Sequence, residues 1–353
     1  MKIGIDTRYS NSFSGIGNYV DNLVFELEQT YVNNQYIPFK TDKRQWLLWE
    51  QFLLPLRTIR KNLDLFFFPN WRVPYFFNTP YVVTIHDITP IRCREMFPSS
   101  LKSRLFKTYL NLIRRTIYNS EHVITVSEFS KNDIIDFFKV DESKISVIHN
   151  GINPTFFLER DDDKKKLIKK KYKIKKPFVL YVGRFDPNKN VSSLINAYSN
   201  LKQKNDLDCI LIGDITKEQL TNLMNLTSER KVIDNVLILK KIPTDELPYF
   251  YQLAEMLVFP SIYEGFGLPV IEAMACCCPV VASNTTSIPE VLDNCGLLFD
   301  PLSVEQITLS MSKLLSSTEL KKTLVKKGLN RAKLFSWKLS AIKHQNIFNN
   351  LIH

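Results

Sequence analysis

The chain lacks the devices that mark a membrane span, a secreted disulfide scaffold or a nucleic-acid reader. No stretch reaches the roughly 18 consecutive apolar residues that a span requires. The opening Met1-Lys2-Ile3-Gly4-Ile5 reads as a strand, so no secretory leader is expected. Six cysteines include the consecutive Cys276, Cys277 and Cys278, which suit neither a disulfide ladder nor metal-ligand spacing with the five histidines. They are expected to pack as small apolar residues at a buried helix–strand junction in a reducing cytoplasm. No repeat of solenoid length is present. A net charge of +11 points to something anionic, and charge alone does not choose among nucleic acid, an anionic membrane face and a pyrophosphate-linked lipid. The bases are spread over both halves, with no recognition helix, zinc finger or aromatic RNA-binding signature, so no nucleic-acid partner is expected.

What is present is an ordinary globular composition, 44% hydrophobic and 24% charged, over 353 residues. Single cores rarely grow past about 250–300 residues, so two domains are expected. Apolar runs alternate with helix-like segments, the pattern of an α/β protein with parallel sheets. Strands are expected at Lys2–Asp6, Leu65–Phe68, Tyr81–His86, His122–Val126 and Ile145–Ile148. In the second half they fall at Phe178–Val182, Cys209–Ile212, Val236–Leu239, Met256–Phe259, Pro279–Ala282 and Gly296–Phe299. Helices include Ile16–Thr30, Val191–Lys204 and Val304–Ser316. Residues 161–176 place acids first and bases last, the order of a short solvated helix, and read as a connector. The resulting division is 1–160, a linker 161–176, 177–335, and a final helix over 336–353.

The richest segment follows Met256-Leu257-Val258-Phe259-Pro260, a buried strand closed by proline. Gly265 and Gly267 keep the next turn free of side chains, and Pro269 suits the first position of a helix. Backbone N–H groups at that helix start are positioned to meet a ligand. Glu264 in the loop and Glu272 in the first turn would both face it. The plainer reading is a solvated loop acid and an acid favouring the helix dipole. The glycines, the proline and the spacing together exceed what a mere turn needs. The segment Tyr263 to Ala275 resembles the signature of glycosyltransferase family 4. The resemblance implies retaining, nucleotide-sugar-dependent enzymes of the GT-B fold, with two Rossmann-like doubly wound domains facing a cleft. It also implies that Glu264 and the backbone of Gly265, Phe266, Gly267 and Leu268 hold the donor sugar, while Glu272 holds the ribose.

Other segments fall into place around it. Gly183-Arg184 ends a strand and Lys189 lies near the next helix, where two cations would neutralise a diphosphate leaving group. These resemble the family's phosphate-binding loop. Gly15 and Gly17 follow Asp6 and Arg8 and fail the dinucleotide fingerprint at Val20; they match the family's glycine-rich loop, a plain tight turn being the other reading. His86 ends a strand, where it is either a core residue bonded to a carbonyl or, as the family implies, a contact to the transferred sugar, with Asp87 as orienter or cap. Ser127 reads as an N-cap. Ile242, in Lys240-Lys241-Ile242-Pro243, lies where family members hold the base. The final helix is expected to return to the N-terminal domain, as its family counterpart does.

Two acidic runs, Asp161-Asp162-Asp163 and Asp206-Leu207-Asp208, mimic metal-holding Asp-x-Asp motifs. One lies in the connector and the other at the amino end of a strand, the wrong edge for a ligand; neither a metal nor another cofactor is expected. The resemblance implies retention without an agreed protein nucleophile, and nothing here supplies one, so front-face displacement is expected, with Glu264, His86, Arg184 and Lys189 as the catalytic set. Cys277 stands where the family usually has glycine, and a positive φ there would cost about 1–3 kcal/mol. Two basic amphipathic stretches, Gln45–Leu54 running into Arg57, Arg60 and Lys61, and Leu101–Lys107 continuing to Arg114 and Arg115, suit an anionic membrane face, or else core helices with solvated edges. The Thr84–Asp87 and Tyr263–Cys276 segments most resemble mannosyltransferases of polysaccharide synthesis, which implies GDP-mannose as donor and a glycan or lipid-linked saccharide of surface polysaccharide as acceptor. The alternatives are a UDP- or dTDP-sugar donor, an epimerase, or a non-catalytic binding protein.

Overall fold

The computed structural model describes residues 1–10, 15–31, 33–41, 48–96, 104–157 and 161–352. The chain divides into two compact units, one of Met1–Gly151 with Ser336–His353 and one of Ile152–Phe335. Each has its own parallel sheet of six strands among the described residues, and no helix there is long and apolar enough to cross a membrane.

In the first unit the strands are β1 (Lys2–Asp6), β2 (Gln35–Phe39), β3 (Leu65–Phe68), β4 (Tyr81–Thr84), β5 (His122–Thr125) and β6 (Ile145–Val147), in the order β2-β1-β3-β4-β5-β6. Side chains alternate across a strand, so Leu65 and Phe67 meet one apolar layer and Phe66 and Phe68 another. Both layers are apolar because helices cover both faces. The helices Gly15–Thr30 and Trp337–Ile352 supply Tyr19, Leu23, Trp337 and Phe348 to one layer. Within that layer His344 Nε2 lies 2.7 Å from the Tyr19 hydroxyl, which also meets Thr84 Oγ1 at 2.9 Å. Burial pushes the His344 imidazole down to about 4, so it is neutral at physiological pH.

Strand β2 is absent from the expected set because Pro38 interrupts it. It pairs only with β1, at the sheet edge, where a strand tolerates a residue that cannot donate. The expected strand Tyr81–His86 stops at Thr84, and His86 lies beyond it. The helix expected from Val191 to Lys204 ends at Ser199.

The second unit contains β7 (Phe178–Val182), β8 (Asp208–Ile212), β9 (Val236–Leu239), β10 (Met256–Phe259), β11 (Val280–Ser283) and β12 (Leu297–Phe299). Their order is β12-β11-β10-β7-β8-β9. Residues 161–176, expected as a connector, group with this unit, as do the described residues from Ile152. The helix Asp162–Lys171 buries Ile168, and the adjoining Lys171 Nζ and Tyr172 hydroxyl both reach Glu246 at 2.6 Å. The acid-first order still caps it, with Asp161 accepting from Lys164 N–H.

Candidate functional site

The second sheet reverses direction at one place. From β7 the chain builds outward through β8 and β9, then returns to the other side of β7 with β10. Open α/β sheets take ligands outside the carboxyl ends of the strands at such a switch point. Here those ends are Val182 and Phe259, which lead into the Gly183–Asn190 and Pro260–Gly267 loops.

The two loops are tied to each other through backbone. Asn188 Nδ2 donates to Tyr263 O at 3.0 Å, and Ile262 N–H donates to Asn188 O at 2.8 Å. From the β11 side, Glu264 N–H donates to Thr286 Oγ1 at 3.1 Å. The Ser287 hydroxyl lies 3.0 Å from Glu264 O and 3.1 Å from Phe266 O. The buried Glu264 is therefore held before its side chain is considered. That side chain meets Lys189, Nζ to Oε1 2.6 Å, with both partly shielded from water. The structure thus brings together two expected site residues 75 positions apart.

Gly267 caps the following helix, Leu268–Ala275, at φ 101°, and a Cβ there would approach Ile288 Cδ1 to 2.6 Å. Only glycine combines that backbone with that contact. Two details differ from expectation. The helix begins at Leu268, so Pro269 is its second residue, where it still forfeits no helical hydrogen bond. Glu272 is its fifth residue and no acid occupies the first turn, so the carboxylate is not a dipole partner of the N-terminus. It is buried, and the Tyr251 hydroxyl donates to its Oε2 at 2.9 Å. Burial pushes the Glu272 carboxyl up to about 7, against the opposing pull of that hydroxyl.

Arg184 follows Gly183 as expected, but its ion-pair partner is Asp186 rather than Glu264. Its side chain is 73% exposed and its guanidinium rests on Asp186, Nε to Oδ2 3.0 Å. The Tyr181 hydroxyl fixes the backbone there by donating to Arg184 O at 2.5 Å. Burial raises that phenol well above its ordinary value, with Glu264 and Asp186 adding negative charge nearby. Gly213, at the end of β8, is needed for the same loop, since a Cβ on it would sit 1.8 Å from Gly183 O. Ile242 is half-buried just past β9.

In the first unit, Gly15 and Gly17 lie in the first turn of the helix Gly15–Thr30 rather than in an open loop, and Gly17 is buried; Ser14 falls outside the described residues. His86 takes the carbonyl partner that its position suggested, with Nε2 2.9 Å from Pro69 O and its ring edge-on to Tyr19. Since Nε2 donates there, the neutral ring leaves Nδ1 as an acceptor. Burial lowers its pKa, which favours that neutral form. Asp87 caps the next turn by accepting from Thr89 N–H at 2.9 Å. Ser127 accepts from Ser130 N–H and is the N-cap expected of it.

The acidic runs are engaged locally. Asp162 and Asp163 pair with Lys165 and Lys166, and Asp208 starts β8 at its amino end. Among the described residues no three His, Cys, Asp or Glu side chains gather as a metal group would require.

Behind the site, Cys277 has φ 58°. Cys277 N–H donates to Met274 O and Cys278 N–H to Ala273 O, the paired bonds of a Schellman helix end. Cysteine therefore occupies the left-handed position that glycine fills without strain. Its neighbours Cys276 and Cys278 are buried, and none of the three is in a disulfide.

Tyr251, Thr286, Ser287 and Asn188 were not anticipated as site residues. Their partners are backbone groups or a carboxylate distant in sequence, which no local pattern announces. Ser287 alone had a signal, because Ile288-Pro289-Glu290 after β11 repeats the strand, turn and proline-led helix that follow β10.

Residues 162–331 match the family described as glycosyl transferases group 1, and residues 19–156 match glycosyltransferase family 4. The chain is 30% identical over 302 residues to O-antigen chain mannosyltransferase B of Escherichia coli, covering 84% of this chain and 78% of that protein. It is 31% identical over 266 residues to the O-antigen chain mannosyltransferase RfbU of Salmonella typhimurium, covering 74% and 69%. Sucrose-phosphate synthase from Thermosynechococcus elongatus shares the fold, with a TM-score of 0.82 at 20% identity over 99% of both chains. The lipopolysaccharide glycosyltransferase WaaG does so at 0.77 and 14% identity, over 98% and 99%. Signature, two parallel-sheet units and relatives agree: the chain belongs to glycosyltransferase family 4 and is a glycosyltransferase of the GT-B fold.

Proposed function

We propose that this enzyme transfers mannose from GDP-mannose, with retention, to a glycan or lipid-linked acceptor in surface polysaccharide synthesis. The observation that carries the reading is the 2.6 Å approach of Lys189 to Glu264 at the switch point of the second sheet. A ligand that offers hydroxyls to a carboxylate and phosphate oxygens to an adjacent ammonium is a sugar diphosphate. The names of the two O-antigen relatives support mannose as the sugar.

Glu264 grips sugar hydroxyls, and the N–H groups that open the helix Leu268–Ala275 add partial positive charge. Lys189 meets the charge that grows on the diphosphate as it departs. Arg184 joins it by exchanging Asp186 for phosphate, and Glu272 accepts from the ribose hydroxyls. His86 Nδ1 accepts from a hydroxyl of the sugar. The bond from anomeric carbon to diphosphate oxygen breaks, and its electron pair stays on that oxygen. The acceptor oxygen bonds to the same face of the carbon, and its proton passes to the departing phosphate. No metal is assigned a part in this scheme.

A thermal-shift screen with GDP, GDP-mannose, UDP-glucose and dTDP-glucose tests the donor, and NMR of the product tests its anomeric configuration. Stabilisation by GDP and GDP-mannose and an α product from an α donor are expected. Stabilisation by UDP-glucose alone would sink the choice of donor. Indifference to every nucleotide would sink the transferase scheme.

A further inference from the structure

One apolar surface of the first unit has no role in the chemistry above. After the π-helical turn Trp49–Leu53 comes the helix Leu54–Ile59. Trp49, Glu50, Leu54 and Thr58 face inward and are buried. On the other side Leu48, Phe52, Leu56 and Ile59 are 59%, 64%, 56% and 61% exposed. Their spacing of four, four and three gathers them into one helical stripe. Phe76, 75% exposed, extends it, because Tyr75 N–H donates to Gln51 Oε1 at 2.8 Å. Contiguous exposed apolar area of this kind marks a contact surface.

The stripe is rigidly mounted. Glu50 bonds the buried Arg8 guanidinium and accepts from Arg72 Nε at 3.2 Å, while Gln51 Nε2 donates to Glu50 Oε1 at 2.8 Å. Charge beside it has one sign. Arg57, Arg60 and Lys61 are exposed, and among the described residues none of them has a carboxylate partner. Glu50, the one acid between Leu48 and Leu63, is spent on Arg8 and Arg72. A second copy of the chain would bring these bases against their own images, a repulsive pairing. An anionic bilayer offers both complements at once, acyl chains to the stripe and phosphates to the bases.

We propose that this surface docks the enzyme on an anionic lipid bilayer. Leu48, Phe52, Leu56, Ile59 and Phe76 enter the headgroup boundary, and Arg57, Arg60 and Lys61 contact lipid phosphates. The other amphipathic stretch meets this surface only at its margin, where the Arg115 guanidinium lies 4.3 Å from the centroid of the Tyr75 ring, and it adds no side chain to the stripe. The helix Arg104–Asn119 turns Phe106, Ile113 and Ile117 into the core and leaves Lys107 and Arg114 on a solvated outer face. The proposal rests on the first unit alone, so its test needs no sugar nucleotide and stands or falls apart from the donor assignment.

The test is co-sedimentation of the full chain with vesicles of phosphatidylcholine alone or with 30% phosphatidylglycerol (about a third anionic, as in a bacterial-type membrane). Binding to the anionic vesicles and not to the neutral ones is expected. F52E/L56E should weaken it at least tenfold, and R57S/R60S/K61S by roughly a hundredfold. K107S/R114S should leave it unchanged. All three sets are surface changes, and unchanged circular dichroism and melting would establish that the variants fold. Absence of binding by the parent protein overturns the proposal, as does equal binding by F52E/L56E and the parent. Self-association that F52E/L56E abolishes, without vesicle binding, would assign the surface to a second copy instead.

Discussion

Both sheets reverse direction beside their first strand, yet the two switch points use charge in opposite ways. In the second unit the ends of β7 and β10 present Lys189, Glu264 and Arg184, partly accessible and joined in simple pairs. In the first unit the end of β1 leads into Asp6 and Arg8, which are closed off with Glu50. Arg8 reaches Asp6 Oδ2 at 2.6 Å, bonds Glu50, and donates to Arg72 O at 2.8 Å, with side chains 2% to 5% exposed. Burial raises the Asp6 carboxyl even against the pull of Arg8. One topology therefore serves once as the proposed ligand seat and once as a sealed internal clamp. What separates them is whether the charges can exchange partners without exposing an unpaired ion.

The sharpest way to break the comparison is to remove a charge from each side. Arg8→Ala strands Asp6 in the interior, leaves Glu50 with Arg72 as its remaining cation, and should cost roughly 3–5 kcal/mol in a urea titration. A loss below about 1 kcal/mol would mean the clamp is open to water. Glu264→Gln, by contrast, should keep the melting temperature within a few degrees while lowering turnover on the order of 10²-fold. Near-parental transfer by that variant would remove Glu264 from the sugar contact.

Glu272 sharpens the contrast further, being a buried acid on the ligand side whose bonded partner is a hydroxyl rather than a cation. Its native pKa of about 7 lies above the ordinary carboxylate value, so the folded state retains a proton that the unfolded chain releases. Stability from this group is thus present at pH 4 and declines as pH rises toward 7. Glu272→Gln should remove that decline, gaining on the order of 2–3 kcal/mol at pH 8 relative to the parent and little at pH 4.5. Parallel stability-versus-pH curves would contradict it. The smallest effect belongs to a residue behind the seat. Cys277→Gly relieves a left-handed cysteine and should add about 1 kcal/mol to stability, and a loss would show that the thiol's packing outweighs the strain.

Much of this was legible in the sequence because parallel sheets covered on both faces write themselves as short apolar runs. Strands β1, β3, β7, β9 and β10 lie where those runs place them. The edge strand β2 was hidden by Pro38, a residue whose tolerance depends on having no neighbour on one side. At the site, glycines and proline located the signature loop because they act on local backbone. The partnership of Lys189 with Glu264 follows from strand order, and the clamps by Thr286 and Ser287 use common hydroxyls on backbone groups. Neither leaves a periodic trace. Arg184 resting on Asp186 shows the limit in the other direction, since a position in the chain does not decide which of two anions a flexible side chain meets.

The helix Trp337–Ile352 carries a last consequence. It lies in the Ser336–His353 segment of a compact body otherwise formed by Met1–Gly151, while the other body is one uninterrupted stretch. During synthesis the later stretch has everything it needs to close before the earlier one does. The earlier one must wait, with Tyr19 and Phe67 uncovered, for Trp337–Ile352 to leave the ribosome. Nascent chains halted before Trp337 should accordingly be cut by protease in their first 151 residues and resist it beyond.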